Sequence, residues 1–92
     1  FITFDLGRER DISKMYTAWF SGNTRATKFD VELSADGETW IKQFSGSGSG
    51  STSDFEEVPH VSGKARYVKL TGYGNSSNGW NSLSEVKFDF ND

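Results

Sequence analysis

The chain of 92 residues contains no cysteine, which excludes a disulfide scaffold, a thiol nucleophile and a cysteine-ligated zinc site. It has one histidine, His60, beside the one proline, Pro59, in a polar stretch; a solvated loop residue is expected there rather than a catalytic base. No apolar run approaches the length that crosses a bilayer as a helix, and no signal-peptide pattern is present. Charge of one sign is also lacking. The formal net charge of −3 supplies no basic field for nucleic acid or an anionic membrane, so an anionic partner would need local cations. The serines stand in Gly-rich loops and none has a nucleophile-elbow context. The "GSGSGSG" run lacks the Lys-[Ser/Thr] ending and following helix of a phosphate loop. Asp5, Asp30, Glu32 and Glu38 fall on the polar faces of strand patterns or in turns, where solvated carboxylates are expected. No catalytic constellation remains.

What the chain does contain is aromatic residues, 15% of the total, set in alternating patterns that distinguish it from a disordered segment. Ile2, Phe4 and Leu6 alternate with Thr3 and Asp5 until Gly7 breaks the run. Residues 12–20 form a second strand candidate. Phe29, Val31 and Leu33 alternate cleanly, and Asp36-Gly37 then predicts a hairpin whose return strand is residues 40–44. Residues 45–53, a Ser/Gly run, read as a loose loop between strands. A short strand is expected over residues 55–58, another over 65–71, and a last one where Val86, Phe88 and Phe90 alternate with Lys87 and Asp89. No segment has a helical period. One all-β domain over residues 1–92 follows, as a sandwich or barrel. Phe29, Val31, Leu33, Val86, Phe88 and Phe90 are expected to share its core.

The run "GYGNSSNGWNSLSEV", residues 72–86, places two large rings among Asn, Ser and Gly. An Asn amide both donates and accepts, which suits a rim of sugar hydroxyls. Tyr and Trp offer a flat apolar face with a polar handle, which suits a sugar's C–H face. Tyr73 and Trp80 surrounded by Asn75, Asn78 and Asn81 therefore form a candidate saccharide site on a loop before a rigid strand. The alternative for each ring is that it pins the loop to the core, with Asn and Gly serving tight turns.

The segments "FITFDLGRERDISKM", "KFDVELSADGETW" and "ARYVKLTGYGNSSNGWNSLSEVKF" together resemble, over essentially the whole chain, the successive strands of the coagulation-factor type C, or discoidin, domain. Within that family the pattern is similar to family 32 carbohydrate-binding modules, and the residues 78–86 run to those attached to alginate lyases. The resemblance implies a β-sandwich jelly roll with ligand loops at one end and no catalysis. Its members tether a linked polysaccharide-degrading enzyme to its glycan. A secreted or cell-surface protein is implied. So is a polysaccharide ligand, acidic and alginate-like or neutral and galactan-like. It also implies that the loop before the last strand supplies an aromatic, and that the loop after residues 12–20 supplies cationic or amide groups. Asn23 and Arg25 stand in that loop, with Trp19 at its edge. An Arg fork suits a sugar carboxylate. Members carry a further strand and a calcium loop before the segment with which this chain starts, so the sandwich is expected to be N-terminally incomplete and completed by another fragment. Glu85 matches the family's calcium-ligating Glu, but one carboxylate does not make a site of six or more oxygens. Two rivals stand beside the saccharide reading. One is a discoidin-like adhesion or lipid-binding domain, which wants apolar spikes or a basic patch at its loop tips. The other is a structural accessory domain, with both rings buried.

Overall fold

A computed structural model describes residues 1–19, 26–52, 54–75 and 83–92, with Asn75 described in its backbone only. Among the described residues six strands run in the order β1 (Ile2–Trp19), β2 (Thr27–Ser34), β3 (Ile41–Ser47), β4 (Glu56–Glu57), β5 (Gly63–Asn75) and β6 (Leu83–Phe90). No helix occurs among the described residues. All pairings are antiparallel, in the spatial order β3-β2-β5-β1-β4, with β6 also on β1. The first half of β1 pairs with β5, from Ile2 opposite Leu70 to Ile12 opposite Gly63. Its second half pairs with β6, from Ile12 opposite Phe90 to Trp19 opposite Leu83, and with β4 at Tyr16 and Thr17. One curled sheet thus makes both layers of a β-sandwich.

Gly7 does not end this strand, as its place after an alternating run suggested. It sits at φ 85° inside a register shift between Asp5 and Arg10, and its N–H donates to the Asp5 carboxylate at 2.8 Å. Only glycine takes that backbone without strain, so the residue bends β1 rather than breaking it. Arg10, just beyond the bend, lies 3.9 Å over the Phe90 ring and donates to Asp92 at 3.1 Å, clasping the end of β6.

The hairpin at Asp36-Gly37 forms as expected. Gly37 is at φ 83°, and Asp36 Oδ1 accepts the N–H groups of Glu38 and Thr39. The Ser/Gly run departs from expectation. Its first residues belong to β3, where Gly46 pairs with Phe29 and Ser47 with Lys28. A side chain at Gly46 would collide with the Phe44 ring, 2.9 Å from where its Cβ would stand, so this glycine admits the ring rather than loosening the chain. Gly48 N–H then donates to Thr27 O at 3.0 Å. Strand β5 also runs past residue 71 to Asn75, which takes Tyr73 off the expected loop and onto a strand.

Phe29, Val31 and Leu33 of β2 are buried against Val68 and Leu70 of β5 and Ile12 and Met15 of β1, and Val86, Phe88 and Phe90 of β6 pack on this cluster. Rings extend it: Trp19 on Phe29 at 5.1 Å, Phe29 on Phe44 at 5.0 Å, and Phe4 edge-on to Phe88 at 6.0 Å. Separations of this order stabilise aromatic pairs beyond their buried area. Phe29 touches both ends of the first series and is 2% exposed. Phe29→Ala is expected to cost about 3–5 kcal/mol by denaturant unfolding, the range for emptying a buried Phe site. A loss no larger than that of a surface substitution would place Phe29 outside the core.

Candidate functional site

The alternation that buries Phe29 and Val31 points Asp30 to the other face of β2, where a solvated carboxylate was expected. Asp30 is instead only 5% exposed. A carboxylate removed from water needs charged or hydrogen-bonding partners, and three side chains supply them. Its cross-strand neighbour Ser45 on β3 hydrogen-bonds to it. Lys42 Nζ stands 3.0 Å from Oδ2. The Tyr73 hydroxyl donates to Oδ2 at 2.8 Å. No buried side-chain nitrogen or oxygen among the described residues lacks a partner.

Tyr73 is two residues on from Thr71, the neighbour of Asp30 across the sheet, and stands where β5 bulges. Gly72 is opposite Phe29 and Asn75 opposite Thr27, so three steps of β5 span two of β2, and Gly74 takes φ 89°. The ring lies over the outer face of the sheet and remains 58% exposed while its hydroxyl is tied down. The electrostatics agree with the geometry. The hydrogen bond from Ser45, and then those from Tyr73 and Lys42, hold Asp30 below the usual carboxylate range against the opposing effect of burial. The bond to Asp30 raises the Tyr73 phenol and the Lys42 ammonium. At neutral pH the cluster is an ionised carboxylate, a protonated phenol and a charged ammonium whose side chain is 55% exposed.

The other residues singled out in the sequence are placed as follows. Trp19 is 3% exposed; its ring packs on Phe29 and its Nε1–H donates to Thr17 Oγ1 at 3.1 Å, so in this structure it presents almost no surface to a ligand. Asn75 closes β5 opposite Thr27. Asn23, Arg25, Asn78, Trp80 and Asn81 lie outside the described residues. Glu85 is exposed on β6, opposite Ala18. Among the described residues no group of three or more Asp, Glu or His stands together as a metal site. His60 is exposed after Pro59, at φ 66°. Sequence reading missed Asp30, Lys42 and Ser45, because only strand register brings them under Tyr73. A second feature lies on the inner face: an apolar groove of about 280 Å³ lined by Phe1, Ile2, Trp19, Leu70, Gly72 and Leu83.

The lowered pKa of Asp30 gives stability a definite sign with pH. A carboxylate held below its unfolded value contributes fully above the ordinary carboxylate range; the contribution falls as pH enters that range and is gone below the folded value. Asp5, held down by Arg66, and Asp36, held down by backbone N–H groups, act in the same direction. The melting-temperature gap between wild type and Asp30→Asn is expected to be constant near neutrality and to narrow on acidification. A gap that does not change with pH would show that the Asp30 charge is not what the cluster stabilises.

The F5/8 type C domain family model matches residues 1–86. No curated protein sequence matches the chain. Among solved structures, the CBM32 of AlyQ in complex with 4,5-unsaturated mannuronic acid is 38% identical, with a TM-score of 0.89 over 95% of this chain and 67% of that one. A truncated AlyQ with CBM32 and alginate lyase domains is also 38% identical, with a TM-score of 0.88, and this chain spans 22% of its length. A pectin-binding carbohydrate-binding module at 24% identity has the same fold, with a TM-score of 0.89 over 98% of this chain and 66% of that one. The chain therefore belongs to the F5/8 type C, or discoidin, domain family, among the family 32 carbohydrate-binding modules.

Proposed function

We propose that the chain binds a saccharide on the Tyr73 ring and tethers a linked polysaccharide-degrading enzyme to its polymer. The observation that carries this reading is a ring 58% exposed on a rigid strand, with its hydroxyl already satisfied by Asp30. A ring so placed offers its face to a sugar's C–H surface. The polar residues that follow β5, Asn75, Asn78 and Asn81 with Trp80, supply amides and a second ring in the same stretch of sequence, and Asn23 and Arg25 belong to the other loop expected to contribute. Tethering acts by raising the local concentration of the enzyme at its substrate, so a weak single site suffices. Such a module works outside the cell, in a secreted or cell-surface protein.

The ligand is an acidic, alginate-like polysaccharide. Two features support this choice over a neutral galactan. Lys42 holds a half-exposed ammonium beside the anchored phenol, where a carboxylate on a stacked ring would meet it. The AlyQ module at 38% identity is one solved with 4,5-unsaturated mannuronic acid. The accessory-domain alternative requires a buried Tyr73, and the exposed ring weighs against it. An adhesion or lipid-binding role is weighed against by the tied-down phenol, which presents a hydrogen-bonded ring rather than a free apolar spike.

The inner groove points to a further partner. Phe1 is 87% exposed and Ile2 46%, at the mouth of an apolar groove that continues to Leu70 and Leu83. A polypeptide segment preceding Phe1 is the fragment that would lie there and remove this surface from water. The oxygens that a calcium site needs beyond Glu85 would come from the same fragment.

Calorimetric titration with mannuronate oligomers and a neutral galactan tests the ligand reading. Tyr73→Ala or Trp80→Ala is expected to weaken binding about tenfold to a hundredfold, as for losing burial of one large side chain. Lys42→Met and Arg25→Ala should weaken the acidic ligand more than the neutral one, and added salt should do the same. If both ring variants fold and bind like wild type, the saccharide site lies elsewhere. The groove has a separate test. A chain extended by its preceding segment should melt at a higher temperature than residues 1–92 alone, and an unchanged melting point would leave the groove without that occupant.

A further inference from the structure

A ring platform is only as good as its fixed orientation. Tyr73 stands on a bulge beside Gly74, the kind of backbone that leaves an exposed side chain loosely held. The residue is 58% exposed. Among the described residues, its hydroxyl is bonded to Asp30 Oδ2 at 2.8 Å. That acceptor is itself immobilised. Asp30 is buried on β2, bonded to Ser45 across the sheet and paired with Lys42 at 3.0 Å, both from β3.

We propose that Asp30 is the positioning residue of the saccharide site: its buried carboxylate, gripped by Ser45 and Lys42, fixes the tilt of the Tyr73 ring over the sheet before any ligand arrives. This rests on the reading of Tyr73 as the platform and adds to it the group that orients the ring. Asp30 itself does not touch the ligand. A hydrogen bond from a phenol to an ionised acceptor is stronger than one between neutral groups, so the bond holds in water where an ordinary tyrosine hydroxyl would exchange with solvent. Preorganising the ring removes part of the ordering cost that binding would otherwise bear. The same carboxylate holds Lys42 in place, so ring and ammonium keep a fixed spacing and act as one unit toward a ring that carries a carboxylate. Strand register sets that spacing, because Asp30 is opposite Thr71 on β5 and opposite Ser45 on β3.

Tyr73→Phe keeps the ring and removes only the anchor. The Asp30 carboxylate retains Ser45 and Lys42, so this variant is expected to fold. Asp30→Ala removes the acceptor and leaves its former partners, Tyr73 and Lys42, exposed enough to turn to water. Calorimetric titration of both variants and their combination with a mannuronate oligomer, alongside Tyr73→Ala, forms a double-mutant cycle. The expected result is a loss of about threefold to tenfold for Tyr73→Phe, the scale of one hydrogen bond. Asp30→Ala should lose at least as much, and the double variant should bind no more weakly than Asp30→Ala alone. Additive losses would overturn the inference, because Asp30 would then act by a route other than the Tyr73 hydroxyl. Wild-type affinity in Tyr73→Phe, with binding abolished in Tyr73→Ala, would also overturn it while leaving the platform standing. Wild-type affinity in Tyr73→Ala would remove the platform and the positioning role together. Should Asp30→Ala fail to fold by circular dichroism, Tyr73→Phe decides alone, and undiminished binding there overturns the inference.

Discussion

Strand β1 pairs with β5 in its first half and with β6 and β4 in its second, so one run of 18 residues belongs to both layers. Nearly everything else takes its position from that constraint. Pairing with β5 continues across the bend at Gly7 and passes to β6 at Ile12, where one layer turns into the other. Register then passes outward, strand by strand. Ile2 is opposite Leu70, Leu70 is opposite Val31, and Val31 is opposite Phe44. A slip of one residue anywhere in this series would exchange the two faces of β2, burying Lys28 and Glu32 and exposing Phe29 and Val31. Apolar burial therefore selects the register, and the register in turn places Asp30 beneath Tyr73 as a by-product of packing Phe29 and Val31 correctly.

That by-product has an energetic condition. Burying a lone carboxylate is expensive, and a half-satisfied polar cluster is worse than an apolar one. Here the cost is offset on the outer face by partners from two strands: Ser45 and Lys42 from β3 and Tyr73 from β5. Tyr73 is two residues on from Thr71, the cross-strand neighbour of Asp30, and so shares its face of the sheet. Core packing and site geometry are thus joined through a single strand. β2 presents Phe29 to the aromatic stack on one side and Asp30 to the exposed ring on the other.

The parts of this architecture legible in the sequence are those that depend on local chemistry. Phe29, Val31 and Leu33 announce their face by alternation, Val86, Phe88 and Phe90 do the same, and Asp36-Gly37 announces its turn. The parts that were not legible depend on what lies across the sheet. Alternation assigns Asp30 to solvent, yet it is buried with partners that stand far along the sequence, Lys42, Ser45 and Tyr73. Glycine misled the reading twice for one reason. A sequence shows that a residue lacks a side chain but not why. Gly7 bends a strand, and Gly46 makes room for Phe44; neither ends an element. Trp19 reads as an aromatic at a loop edge, yet its indole closes the core against Phe29. The family was legible because its strand motifs follow one another in order over residues 1–86.

An exposed ring, Tyr73, stands here on a strand rather than at a loop tip. A loop tip is free to move, and a ring carried there must be ordered by the ligand. A ring on a strand is ordered by the ladder, but normally points straight into or out of the sheet and offers an edge as readily as a face. The bulge at Tyr73 combines the two properties. The Tyr73 backbone departs from the regular ladder, and its hydroxyl is bonded to Asp30. The face left open is then set by covalent geometry at one end of the side chain and by a charged hydrogen bond at the other. The sheet thus fixes both ends of an exposed aromatic side chain.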